Sequence, residues 1–337
     1  MKKGYVYILL TTVLFSSMEI ALKEVTNQFN PLQITFLRFL IGAIILSPLA
    51  LKGLRSRGLR LKVGDLAFFA FTGFLCVVVS MILYQMAIEY SPASSVAVLF
   101  SCNPIFVVLF AFLLLHEKIY KHTVVSLVIS VCGILTIINP AHMGGKSLGI
   151  ALTILSAVTF ALYGVAGRRR SQCYGSFALT CFSFLFGSLE LLLVIVLTHV
   201  SAVAAFFLQA GLPSFANVPI LQGITPHSLP SLIYIGICVT GFGYTFYFLA
   251  MEATSAATAS VVFFIKPVLA PILALIILHD TVSVNMALGI CLMLLGSLIS
   301  INPSMFQRKN RLAKDIQKDL EVLQSELITD SGIQPSK

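Results

Sequence analysis

Ten stretches of roughly 17 to 25 predominantly apolar residues follow one another along the chain, near 5–22, 33–51, 65–87, 93–115, 123–139, 147–166, 177–198, 229–250, 256–278 and 285–301. Wound as an α-helix, a run of that length crosses a hydrocarbon core of about 30 Å. In lipid only helices and closed barrels satisfy their own backbone hydrogen bonds. The recurrence therefore predicts an all-α integral membrane protein with ten transmembrane helices. Composition agrees: 58% of the 337 residues are hydrophobic and 10% are charged, against about a quarter charged in soluble domains. MKKGYVYILLTTVLF begins like a secretory signal but has no Ala-x-Ala-like cleavage site and runs on through Glu19 to Lys23. It reads as an uncleaved first helix.

Lysine and arginine gather in MKK, in LKGLRSRGLRLK (Lys52, Arg55, Arg57, Arg60, Lys62), at Lys118 and Lys121, at Arg168, Arg169 and Arg170, and in the C-terminal tail. With ten crossings all of these fall on one side, while the other side keeps Lys23 and Lys146 and a connection, 199–229, free of Lys, Arg, Asp and Glu. The positive-inside rule then places both termini in the cytoplasm of a multi-pass protein of the plasma (inner) membrane. The net charge of +9 is a topology signal, so the expected partners are the lipid bilayer and a small solute, with no nucleic acid. The seven cysteines have no CxxC pair or regular spacing and read as small apolar side chains.

The sequence also repeats. A shift of 163 residues lays 84–118 on 247–281 without a gap: Tyr84 meets Tyr247, Glu89 meets Glu252, Pro104 meets Pro267, and His116 and Glu117 meet His279 and Asp280. The register continues through Gly133 and Gly296 to INP at 138–140 and 301–303. Each copy holds five spans, and an odd number means that the second copy enters the membrane from the opposite side. The expected organisation is two inverted five-helix repeats, 1–140 and 141–303, followed by a cytoplasmic amphipathic tail, 304–337. Inverted repeats enclosing a midplane site are the architecture of secondary transporters.

These residues resemble the EamA-like branch of the drug/metabolite transporter superfamily over residues 4 to 303. The resemblance rests on Lys23, Pro31 and Arg38 in FSSMEIALKEVTNQFNPLQITFLRFLIGA, on the paired proline-centred helices ending in LHE and LHD where the family usually shows Leu-Gly-Glu, and on the glycines of the fifth and tenth spans. Phe15 and Phe160 stand where relatives often carry tryptophan, and this chain has none. The resemblance implies a central cavity lined by spans 1, 3, 4, 6, 8 and 9, with 5 and 10 as scaffold. It further implies export or exchange of small metabolites, amino acids among them, and no cofactor.

Within that frame the most demanding residue is Lys266, in FFIKPVLAPIL. A lysine at the centre of a spanning helix costs about 2.5 to 3.5 kcal/mol on an insertion scale. Lys266 lies about 11 residues into a helix of about 23, close to the midplane. Pro267 cannot donate its backbone N–H, and its ring opposes the carbonyl of Phe263, so a kink or break is expected there and at its repeat partner Pro104. Lys266 corresponds to Asn103, and this cation-and-amide pairing suits a carboxylate or phosphate held asymmetrically. The alternatives are an ion pair with Glu19 or a snorkelling amine.

Glu19 is one turn from Lys23 and reads either as a proton-exchanging carboxyl, leaving protons open as the coupling ion, or as a salt-bridge partner of Lys23, Arg38 or Lys266. Arg38 reads as a substrate-anion contact or a helix-packing anchor. Tyr84 and Tyr247, with Tyr163 and Tyr244, are expected to line the cavity or to pack. Glu89 and Glu252 precede the small-residue segments SPASS and TSAATAS, candidate thin gates at opposite mouths or simple tight packing. Ser126 with Gly133 and Gly289 with Gly296 form packing seams between spans or protomers, which leaves a homodimer open. Glu190 has no counterpart.

A membrane enzyme would need paired aspartates, a Ser-His set or an intramembrane metal cluster, and no such motif is present. His116 and Glu117 do not form HExxH. The sequence therefore predicts a secondary transporter of a small polar metabolite, an amino acid or other carboxylate, working by alternating access. A membrane receptor, a channel and a non-transport enzyme are the rivals.

Overall fold

The computed structural model describes residues 2–59, 61–138, 147–277 and 284–301. Lys146, His279, Asp280, most of both INP segments and the 304–337 tail lie outside the described residues. Among the described residues eight helices are long and apolar enough to cross a membrane: α1 (Lys3–Val25), α2 (Pro31–Ser56), α3 (Val63–Tyr90), α4 (Ala93–Leu115), then α6 (Leu148–Tyr174), α7 (Ser176–Leu197), α8 (Leu229–Ala253) and α9 (Ala256–Ile277). Two shorter apolar helices, α5 (Lys121–Ile138) and α10 (Val284–Ile301), occupy the remaining expected segments. The protein is thus an all-α membrane protein, and no strand occurs among the described residues. Its outer surface carries large apolar side chains such as Leu193 and Ile276, as a lipid-facing belt requires.

Local chemistry sets several helix boundaries. Asn30 caps α2: its Oδ1 accepts from the Leu32 N–H, the Gln33 side chain accepts from the Asn30 N–H, and Pro31 takes the first helical position. At the start of α3 the Asp65 carboxylate accepts from the Lys62 N–H at 2.9 Å. His116 ends α4 in the left-handed region at φ 53°.

Glycines fix the helix crossings. A Cβ on Gly73 of α3 would lie 2.4 Å from the Ser183 carbonyl and 2.5 Å from the Gly187 nitrogen of α7, so the two backbones touch. Gly236 of α8 meets Ile41 of α2, and Gly42 of α2 meets the Gly236 carbonyl and Gly241. Gly73 and Gly236 are 163 apart, whereas Gly42 and Gly187 are 145 apart. The second register also pairs Phe15 with Phe160 and Lys23 with Arg168. Under both registers the α3–α7 crossing is the image of the α8–α2 crossing.

The seam of α5 and α10 lies between spans of one chain. Ser126 Oγ donates to the Gly296 carbonyl at 2.7 Å, and Gly133 sits against the Gly289 carbonyl, so the helices run antiparallel. Ser126 corresponds to Gly289 and Gly133 to Gly296, which makes the two contacts images of each other.

Five of the described helices are interrupted. α1 breaks at Ser17, α3 and α8 carry π-helical stretches at Phe74–Ser80 and Tyr234–Gly243, and α4 and α9 break at residues 101–102 and 260–261. Pro104 is the second residue of the segment that restarts at Asn103. For Pro267 the expectation needs correction: α9 restarts at Val262 and continues through Pro267 and Pro271, so the break falls at Ser260 and Val261, ahead of Lys266. Interrupted helices expose backbone groups at membrane depth only where protein or a cavity surrounds them.

The two ends of the bundle differ. At one end Arg57 donates to the carbonyls of Gln172 and Cys173, both at 3.1 Å, Arg170 pairs with Asp65, and Arg168 pairs with Glu117. The other end is closed by the 199–229 connection, which contains a short helix, Ser201–Gln209. Asn30 donates to the Ser214 carbonyl at 2.8 Å, and Gln33 donates to the carbonyls of Ile220 and Gln222.

Candidate functional site

Lys266 and Glu19 form an ion pair in which both side chains have no solvent exposure. Tyr84 joins them: its hydroxyl donates to Glu19 Oε1 and accepts from Lys266 Nζ at 3.2 Å. α9 supplies the amine, α1 the carboxylate from just beyond its break at Ser17, and α3 the hydroxyl from the turn after its π stretch. Lys266 Nζ also lies 5.1 Å from the centre of the Phe100 ring and 5.5 Å from that of Tyr84, where the ring faces attract a cation.

The amine therefore has its compensation. An isolated charge here would face a desolvation cost of several kcal/mol; an opposite charge, a hydroxyl and two rings offset it. The compensation is incomplete on the other side, because Glu19 Oε2 has no hydrogen-bond partner among the described residues.

Arg38 is also fully buried. Its Nη1 reaches the Met18 sulfur, at 3.6 Å, its guanidinium lies 4.6 Å from the Phe39 ring centre, and Nε and Nη2 have no hydrogen-bond partner among the described residues. A guanidinium carries five donors, so this group stands ready for an acceptor. Between Arg38 and Lys266 runs a continuous set of buried rings. Phe39 meets Tyr244 at 5.7 Å, Tyr244 meets Phe160 at 5.6 Å, and Phe160 meets Phe100 at 5.6 Å. Glu19, Arg38, Tyr84 and Lys266 have no solvent exposure, so the site is sealed in this conformation.

The remaining expected residues are placed as follows. Lys23 does not pair with Glu19; its amine donates to the Ile88 carbonyl at 2.8 Å and the Ser91 carbonyl at 3.5 Å. Asn103 is buried, its Nδ2 donating to the Ala157 carbonyl at 2.8 Å while Oδ1 has no partner. Tyr247 is buried with an unpartnered hydroxyl. Glu252 accepts from Ser176 Oγ at 2.7 Å, and Glu89 is exposed. Glu190 Oε2 has no hydrogen-bond partner. Among the described residues no three His, Cys, Asp or Glu side chains cluster to hold a metal ion.

Sequence reasoning missed Met18 and Phe39, the companions of Arg38, and Gly164, which faces Tyr247. The 145-residue register would have found Gly164, because it is the counterpart of Glu19. A separate cavity of about 590 Å³ opens at the basic end, lined in part by Tyr5, Val108, Lys118, His122 and Thr258.

With this geometry in hand, the chain can be set beside known proteins. The model of the EamA-like transporter family matches residues 2–139 and again 147–302. An uncharacterized transporter of Clostridium kluyveri is 38% identical over 326 residues, covering 94% of this chain and 97% of its own. The pseudopaline exporter CntI of Pseudomonas aeruginosa is 25% identical over 269 residues, covering 76% and 92%. A protein of known crystal structure shares the fold with a TM-score of 0.65 at 17% identity, over 89% of this chain and 97% of that one.

Proposed function

The chain belongs to the EamA-like transporter family, and from that premise we propose that it is a secondary transporter moving a small carboxylate-bearing metabolite across the plasma membrane by alternating access. The observation that carries the proposal is the buried triad of Lys266, Tyr84 and Glu19. It sits where interrupted helices meet, the setting in which transporters build midplane sites.

In this reading residues 1–140 and 141–303 are inverted repeats. The basic end faces the cytoplasm with both termini. The substrate carboxylate takes the place of Glu19 on Lys266, Arg38 supplies a second set of donors, and Asn103 and Tyr247 line the opposite half. Displaced from the amine, Glu19 is the intramembrane carboxyl through which the proposal couples substrate to protons. Substrate binding and proton binding are thereby linked. Export is the direction named for the Pseudomonas relative, and the proposal adopts it.

The test is uptake of labelled amino acids and small organic acids into proteoliposomes holding the purified protein, with and without a pH gradient. The proposal expects a carboxylate to accumulate above its external concentration when a gradient is imposed. Flux without accumulation would instead mark a channel, and binding without flux a receptor.

A further inference from the structure

We propose that the second repeat carries a neutral half-site at Gly164 and Tyr247, the image of the charged half-site at Glu19 and Tyr84, and that it binds a hydroxyl or primary amide on the transported carboxylate. The inference rests on the transport reading above and specifies the substrate that it implies.

The correspondence is metric. Tyr84 makes an edge contact with Phe100 at 4.9 Å and 77°, and its counterpart Tyr247 makes the same contact with Phe263, the counterpart of Phe100, at 5.5 Å and 75°. The Tyr84 hydroxyl meets Glu19. The Tyr247 hydroxyl faces the counterpart of Glu19, which is Gly164: a Cβ built there would lie 3.7 Å from the hydroxyl oxygen and 3.5 Å from Cε1. The second half thus repeats the tyrosine and deletes the carboxylate that would engage it.

What remains is unsatisfied polarity without charge. The Tyr247 hydroxyl has no hydrogen-bond partner among the described residues though fully buried. Asn103, in the place of Lys266, has its amide nitrogen engaged by Ala157 and offers only Oδ1. Buried polar atoms normally find partners, so two orphans at positions equivalent to Tyr84 and Lys266, which are hydrogen-bonded to each other, mark a place that a ligand completes. With no charge at Gly164, Tyr247 or Asn103, a ligand group there must be neutral and must both donate and accept. A hydroxyl and a primary amide meet that requirement. In the sealed conformation the notch is closed by Met251, whose Cε would lie 3.2 Å from the added Cβ; a flexible thioether can withdraw as the site opens.

The test measures binding and uptake for matched carboxylates differing by one polar group: serine with alanine, glutamine with norvaline, and 3-hydroxybutyrate with butyrate. The proteins are wild type, Lys266→Gln, Tyr247→Phe and Gly164→Ser. Wild type should favour the polar member of at least one pair about ten-fold or more, since leaving a buried hydrogen-bonding group unmatched carries that penalty. Tyr247→Phe should remove the preference while retaining the apolar member, which a general loss of folding would not do. Gly164→Ser should weaken the polar member by supplying its own hydroxyl to the notch. Lys266-dependent binding of carboxylates with no preference within any pair overturns the half-site and leaves the transport reading standing. Absence of carboxylate binding to wild type overturns both.

Discussion

Lys266 on α9 and Glu19 on α1 form an ion pair fully withdrawn from solvent, bridged by the hydroxyl of Tyr84. Removing one member of such a pair leaves an uncompensated buried charge, whereas removing both need not be destabilising. Lys266→Met and Glu19→Leu should each lower stability by about 3 to 5 kcal/mol. The double variant should recover most of that loss. Thermal unfolding in detergent checks the order of the four proteins, and additive losses in the double variant would show that the pair is not coupled.

Arg38 presents the opposite balance, because its Nε and Nη2 have no partner in the sealed site. Its burial is not offset by a direct salt bridge among the described residues, so Arg38→Met is expected to keep or raise the unfolding temperature. Transport in the same variant should fall about ten-fold or more, the loss expected for a charged hydrogen bond to substrate. A variant that is less stable but transports normally would make Arg38 a packing anchor.

Glycine crossings give a prediction with an internal control. Gly73→Ala brings a methyl to 2.4 Å from a backbone carbonyl of α7, which cannot move aside without the helix. Overpacking of this kind costs about 1 to 3 kcal/mol. Gly53 has nothing within 4 Å of a Cβ, and Gly53→Ala is expected to stabilise by up to about 1 kcal/mol through helix propensity. Equal unfolding temperatures for the two variants would contradict the close α3–α7 contact.

Orientation is open to direct labelling. Cys173 is exposed at the basic end, and Gln222 is exposed at the other. A membrane-impermeant maleimide should label Gln222→Cys in intact cells and reach Cys173 only after permeabilisation. The reverse pattern would invert the proposed topology.

Much of this was legible in the sequence because lipid imposes a length and composition rule on every span. The ten expected segments coincide with helices, and Lys266 stands out for the cost of its burial. Its partner was not legible, since Lys23, Arg38 and Lys266 were all within reason for Glu19, and only tertiary packing chooses among them. The helix break was misplaced for a local reason. Pro267 falls within the second turn of a helix that restarts at Val262, where the residues just ahead, Ser260 and Val261, already accommodate the interruption. The counterpart of Glu19 was hidden by a change of register. The first two spans of each repeat are offset by 145 residues and the last three by 163, because the 199–229 connection lengthens the second copy. A single shift of the sequence finds only the second set, so Gly164 was missed.

The central claim is that a substrate carboxylate competes with Glu19 for Lys266, and binding to two variants tests it most directly. Calorimetric titration of a transported carboxylate should show tighter binding to Glu19→Gln than to wild type, because the internal competitor is gone. Lys266→Gln should show no binding. If the two substitutions weaken binding alike, or if Lys266→Gln binds as wild type does, the pair is structural and the carboxylate anchor lies elsewhere.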